Sequence, residues 1–257
     1  MQTVAEFVAA THTRVPGQPM ANRTIGLKDA LDIAQSVDWQ RMALIADAAR
    51  QYLPAVLDEL QGLRTAHQTN PERMINRALL FGIATPNRDE AISIAFALAA
   101  EPRYVAMAPR ELSRASFPTA TNPAATMGMY TALETTLAYL QRVGPRTHWT
   151  MTELEAMPGV GPKVARMITA ILDPASVSWT VDLWHQRQLL WAAGQSPTVR
   201  CSVSNPGYKV LEAVWLEYAE AFFPGVPVFA VQWSSWCAAD GKFCSHAALW
   251  NDLATSC

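Results

Sequence analysis

A chain of 257 residues, half of them hydrophobic and only 16% charged, has ample material for a folded core, which excludes a disordered segment. The formal net charge of −2 excludes broad cationic attraction to nucleic acid, so any such binding has to come from a local patch. No run reaches the roughly eighteen apolar residues of a membrane span, and no basic start leads into an apolar segment. The expectation is a cytoplasmic protein with no membrane partner.

Apolar residues at helical spacing predict helices over 27–36, 40–63, 71–84, 89–100, 129–142 and 208–222. Pro16-Gly17, Pro54, Pro86-Asn87, the stretch 117–123, Gly144-Pro145, Asp173-Pro174 and Asn205-Pro206-Gly207 punctuate them. Few runs alternate with period two, and there is no internal repeat. The fold class read from this pattern is all-α.

The densest local signal is Leu154-Glu155-Ala156-Met157-Pro158-Gly159-Val160-Gly161-Pro162-Lys163-Val164-Ala165. Proline and two glycines predict a tight turn between two helices, with φ > 0 or close backbone approach at the glycines. Pro162 suits the first helical position, where its missing N–H costs nothing. The free N–H groups of that first turn would carry partial positive charge toward an anionic oxygen. Lys163 follows at once, and Asp182 comes nineteen positions later in Thr180-Val181-Asp182-Leu183-Trp184-His185. Asp182 precedes a helical pattern from Leu183 to Leu190, so it also reads as an N-cap. Arg142, Arg146, Lys163, Arg166 and Arg187 supply local positive charge around the turn.

These two segments resemble the helix-hairpin-helix (HhH-GPD) DNA glycosylase superfamily, closest to its 8-oxoguanine DNA glycosylase and endonuclease III-like branch. Turn, lysine and aspartate occur in family order and spacing over about 150–190. A looser likeness extends to Leu79-Leu80-Phe81-Gly82-Ile83-Ala84-Thr85-Pro86. The resemblance implies a two-lobed helical fold with a cleft between the lobes. One lobe would span 75–195 and contain the helix-hairpin-helix at about 151–172; the other would combine 1–74 with 196–257. No counterpart of the β-rich lobe of some relatives is present.

Cleaving a base from DNA develops positive charge on the sugar, which a carboxylate stabilises, while an amine can attack C1′ and form a covalent intermediate. By resemblance, Lys163 is the nucleophile and Asp182 the carboxylate. Gly159, Val160, Gly161, Lys163 and Arg166 would contact DNA. An ordinary lysine is protonated at neutral pH, so Lys163 needs desolvation or a helix N-terminus to supply a neutral amine. The extruded base needs apolar and aromatic walls. Trp184, Gln232 and Trp233 are the candidates for that pocket, with Trp179, Trp236 and Phe229 behind them. Core packing competes as an explanation for the tryptophans, and a polar cap in a core helix for Gln232. His185 reads as a structural hydrogen-bonder.

Cys201, Cys237, Cys244 and Cys257 need no disulfide framework. Cys237 and Cys244 match the first half of the iron–sulfur loop of the endonuclease-like relatives. Ala247 stands where a third cysteine belongs, and Cys257 lies too far on. No metal, from these residues or with His246, and no other cofactor is expected.

The resemblance thus implies a base-excision glycosylase with AP-lyase activity, acting as a monomer on double-stranded DNA that carries a damaged or modified base. Nucleoid association would follow through DNA. One alternative keeps the fold but transfers an amine or amino acid to an activated hydroxymethyl-pyrimidine in DNA, as proposed for phage relatives. Another is a non-catalytic DNA-binding module.

Overall fold

The computed structural model describes residues 22–84, 97, 149–157, 160–197 and 200–255. The helix expected over 129–142, and that over 89–100 apart from residue 97, lie outside them. The described residues are predominantly helical. They run β1 (Asn22–Ile25), α1 (Leu27–Ser36), α2 (Trp39–Arg50), α3 (Leu53–Thr69), α4 (Pro71–Ala84), α5 (Met151–Glu155), α6 (Pro162–Leu172), α7 (Leu183–Ala192), β2 (Arg200–Val203), α8 (Asn205–Phe222), α9 (Val228–Asp240), a 3-10 turn (Ala247–Leu249) and α10 (Asn251–Ala254).

The helices expected over 27–36 and 71–84 form with those bounds. The one expected over 40–63 is two helices. The first, α2, starts on the N-cap Asp38, whose carboxylate takes the Gln40 N–H, and stops at Gln51. The second, α3, then begins with Pro54 in its first turn, where a missing N–H is harmless. Three residues earlier than expected, α8 starts because Ser204 caps it by accepting the Gly207 N–H at 3.2 Å.

Two strands are additions to the all-α expectation. Strands β1 and β2 pair in parallel, with Arg23 opposite Cys201 and Thr24 opposite Ser202, whose hydroxyls lie 2.9 Å apart. Helix α9 escapes a periodicity reading because ten of its thirteen residues are buried, leaving no polar face to set a period.

The chain divides into two compact units, though not at the expected 75–195 boundaries. Unit 1 comprises the residues up to Asp58 together with Ala175–Cys244; unit 2 comprises Glu59–Pro174 and Ser245–Cys257. Residues 59–74 and 245–257 thus join the unit that holds α5 and α6, while 175–195, with Asp182, join the other. Unit 1 is built around a cluster that includes Ile33, Ile45, Trp179, Leu189, Trp215 and Tyr218. In unit 2, α4 packs on α6 at Gly82, where an added Cβ would stand 2.5 Å from Ile168 Cγ1. That glycine is present for helix–helix proximity.

Buried Arg77 on α4 fastens the C-terminal segment to the same unit. Its guanidinium donates to the Leu249 carbonyl at 2.9 Å and to Asp252 Oδ2 at 2.8 Å, and it holds the Asp252 carboxyl below the usual carboxylate range. Nearby His246 is buried, edge-on to Phe81 at 5.5 Å, with its backbone N–H donated to Glu59 Oε2. Burial lowers its imidazole to about 3.

An unfolded histidine titrates near ~6.5, so below that pH the unfolded chain binds a proton that the folded chain refuses. Unit 2 should therefore be indifferent to pH above about 6.5 and lose stability as pH falls from there towards 3. At pH 5 the loss amounts to about 2 kcal/mol. Urea midpoints at pH 7 and pH 5 check this against His246→Phe, which should lose correspondingly less. An equal acid loss in both proteins would remove His246 as the cause.

Candidate active site

Two short helices, α5 and α6, flank the glycine-containing turn. Thr150 opens α5 with a reciprocal cap: its hydroxyl takes the Glu153 N–H, and Glu153 Oε2 takes the Thr150 N–H at 2.9 Å. The Val160 N–H then bonds back to the Met157 carbonyl at 3.0 Å. Pro158 and Gly159 lie outside the described residues. Gly161 is the N-cap of α6 and Pro162 its first residue, as the sequence suggested.

The reason given for Gly161 needs correction. Its φ of −87° and ψ of 176° are extended values open to any residue, and a Cβ there would meet nothing within 4 Å. Positive φ therefore does not explain this glycine. A side-chain oxygen would suit the position, so Gly161→Ser should leave stability unchanged or raise it by about a few tenths of a kcal/mol. A fall of several degrees in melting temperature would show that position 161 needs glycine for a reason other than its backbone angles.

Lys163 occupies the second position of α6, half-buried, and among the described residues no hydrogen bond or ion pair engages its ammonium. Arg166 has a different place from that expected of a DNA contact. It is 8% exposed, its guanidinium lies 2.8 Å from Glu155 Oε1, and it also donates to the Pro162 carbonyl. Its charge is spent tying α6 to α5. Val160 is buried as well, so only its backbone remains for a ligand. A cavity of about 210 Å³ in this unit, bordered by His67, Trp149, Thr150 and Asp173, is lined by none of the expected site residues.

Asp182 sits in unit 1, at the end of a segment without regular secondary structure that turns at Val181, where the Asp182 N–H bonds to the Thr180 carbonyl at 3.0 Å. Exposed Val177 leads into buried Ser178, Trp179, Thr180 and Val181. Buried backbone amides need partners, and for three successive residues here the partner is a distant side chain. The Trp179 N–H goes to Glu212 Oε1 at 3.1 Å, the Thr180 N–H to Gln232 Oε1 at 2.7 Å, and the Val181 N–H to the Tyr208 hydroxyl at 2.8 Å. Tyr208 in turn donates to the Trp179 carbonyl at 3.2 Å. Asp182 then caps α7, accepting the His185 N–H at 2.9 Å.

Polar atoms concentrate around this segment. Trp179 Nε1, Thr180 Oγ1, Gln186 Oε1, Gln188 Oε1 and Trp215 Nε1 are all buried without a hydrogen-bond partner among the described residues. Buried polar atoms left so are costly.

The expected base-pocket residues separate. Gln232 is 5% exposed and its amide oxygen is committed to Thr180, so it tethers the Asp182 segment rather than presenting an edge to a base. Trp233 is 1% exposed, donates Nε1–H to the Cys244 carbonyl at 2.8 Å and stacks with Phe229, a core role. Trp184 is half-buried, with the Arg187 guanidinium 5.1 Å from its ring centre. Of the three, only Trp184 keeps accessible aromatic surface. Cys237 and Cys244 are buried free thiols, and the contact with Cys237, then burial, pushes the Cys244 thiol up. Among the described residues no three His, Cys, Asp or Glu side chains are placed to hold a metal ion; Cys257 lies outside them.

The sequence reading missed Glu212 and Tyr208 as supports for Asp182. A signal existed: Glu212 lies one helical turn from both Tyr208 and Trp215, on the apolar stripe of α8, where a lone carboxylate needs a partner. No protein-family model, curated protein or solved structure matches the chain.

Proposed function

We propose that the chain is a DNA base-excision glycosylase with AP-lyase activity. The observation that carries the reading is the pinning of the segment before Asp182, where three successive backbone N–H groups are taken by Glu212, Gln232 and Tyr208. A helix cap alone needs one side-chain oxygen. Three buried polar side chains devoted to the approach fit a carboxylate whose position matters to chemistry. Support also comes from the Gly161-Pro162-Lys163 start of α6. Gly161 offers no side-chain cap there, so the first-turn amides remain donors for an anion such as a DNA phosphate.

In this reaction the Lys163 amine attacks C1′ as the bond to the base breaks, and the base leaves with the bonding electron pair. Asp182 stabilises the positive charge that the sugar carries in between. Proton loss from the Lys163 nitrogen and opening of the C1′–O4′ ring bond turn this adduct into an imine, which permits loss of a C2′ proton and β-elimination of the 3′ phosphate. Among the described residues no helix is long and apolar enough to cross a membrane.

The test uses duplexes carrying single oxidised, deaminated, alkylated or hydroxymethylated bases, with and without borohydride. Free base in the supernatant and a trapped protein–DNA adduct on one of them are expected. A nucleoside that gains mass while staying in the strand would overturn excision in favour of base modification.

A further inference from the structure

We infer that His185 is a positioning residue for Asp182, fixing the orientation of its carboxylate through an imidazole packed edge-on against the stacked pair Trp179–Trp215. This rests on the reading of Asp182 as the carboxylate that faces the reacting sugar.

His185 stands one helical turn after the cap. Any residue there would give its backbone N–H to Asp182 Oδ1, so the 2.9 Å bond does not by itself single out histidine. The ring does. Its Nδ1 lies 2.8 Å from the same oxygen. A bare nitrogen lone pair would repel a carboxylate oxygen at that distance, so the contact is attractive only when Nδ1 carries hydrogen. The approach is oblique, so the contact is a short polar one rather than an aligned hydrogen bond.

The ring has little freedom to turn away. It is 2% exposed and meets Trp179 edge-on at 5.3 Å and 82°. On Trp215 it stands at 5.2 Å and 79°. Its Nε2 faces the Gln232 carbonyl oxygen at 3.3 Å. The Gln232 side chain meanwhile holds the Thr180 N–H, two residues before Asp182. Ring and carboxylate are therefore referenced to one residue of α9.

The terminal torsion of an aspartate is broad and roughly two-fold, so a cap bond alone leaves the carboxylate plane loosely set. A second contact on the same oxygen narrows it. Small misplacements of a reacting group are expensive in rate, so the narrowing should be felt in turnover more than in DNA affinity.

The experiment compares two substitutions that each keep half of the ring. In His185→Asn the amide nitrogen takes the place of Nδ1; in His185→Gln it takes the place of Nε2. Both leave the space beside the stacked Trp179–Trp215 pair underfilled, so both should lower the melting temperature by similar amounts. Single-turnover base release should stay near wild type in His185→Asn and fall on the order of 10- to 100-fold in His185→Gln, with equal DNA affinity in the two. Equal rates in the two variants would overturn the inference.

A second measurement needs no activity. The ¹⁵N signals of the His185 ring in the wild-type chain should report a protonated Nδ1, and that signal should move in Asp182→Asn. A bare Nδ1 would overturn the inference whatever reaction the protein performs. A protonated, Asp182-sensitive Nδ1 in a protein that releases no base and forms no adduct would overturn the glycosylase reading and leave the pairing standing.

Discussion

Asp182→Asn should lower the single-turnover rate of base release by about 100- to 1,000-fold, near 3–4 kcal/mol of barrier. The fold should change little. Asparagine is as good an N-cap as aspartate, its amide oxygen can keep the His185 N–H, and the approach is held by backbone bonds to Glu212, Gln232 and Tyr208 that do not involve the side chain. What the substitution removes is negative charge. If Asp182 only caps α7, turnover stays near wild type and the melting temperature moves by a degree or two. If it stabilises the sugar cation, rate and stability come apart on the same mutant. Measuring both on one preparation distinguishes these outcomes, and near-normal turnover would remove most of the case for a glycosylase.

Local signals were legible in the chain; those set by distant neighbours were not. Asp182 reads as a helix start because a side-chain oxygen before an apolar period caps a helix with no help from the rest of the fold. Thr150 and Ser204 cap helices in the same way but were not read so, which is why α8 was expected to start only at 208. Pro162 was readable for the same reason. Arg166 was not: a cation next to a glycine-rich segment suggests phosphate, and only the packing of α6 on α5 shows Glu155 already beside it. Gln232 was equally ambiguous, since an amide in an apolar helix serves a ligand or a backbone alike, and its partner lies 52 residues away. The β1–β2 pair joins four-residue segments 178 residues apart, too short for period-two alternation to register. The unit boundary fell elsewhere because the expected one followed the resemblance, whereas the observed one follows contacts. Arg77 and its partners Leu249 and Asp252 bring the C-terminal segment to the unit that holds α5 and α6.

Lys163→Ala should abolish the borohydride-trapped adduct entirely, the largest effect expected of any single substitution here. Alanine is the best helix former, and Lys163 contributes no bond or ion pair among the described residues, so α6 should form unchanged. The loss of one cation near the helix N-terminus should weaken DNA binding modestly and flatten its salt dependence by about one phosphate contact. Lys163→Arg separates the two roles of the side chain. Guanidinium keeps the positive charge and the phosphate contact but stays protonated at all working pH values, so it has no lone pair for C1′. If Lys163 is the nucleophile, the arginine variant binds DNA like the wild type and still traps nothing. If Lys163 is a phosphate contact alone, arginine restores whatever alanine lost, adduct included. An adduct that survives in both variants would place the attacking amine on another residue, and the correspondence of Lys163 with the family nucleophile would then fail.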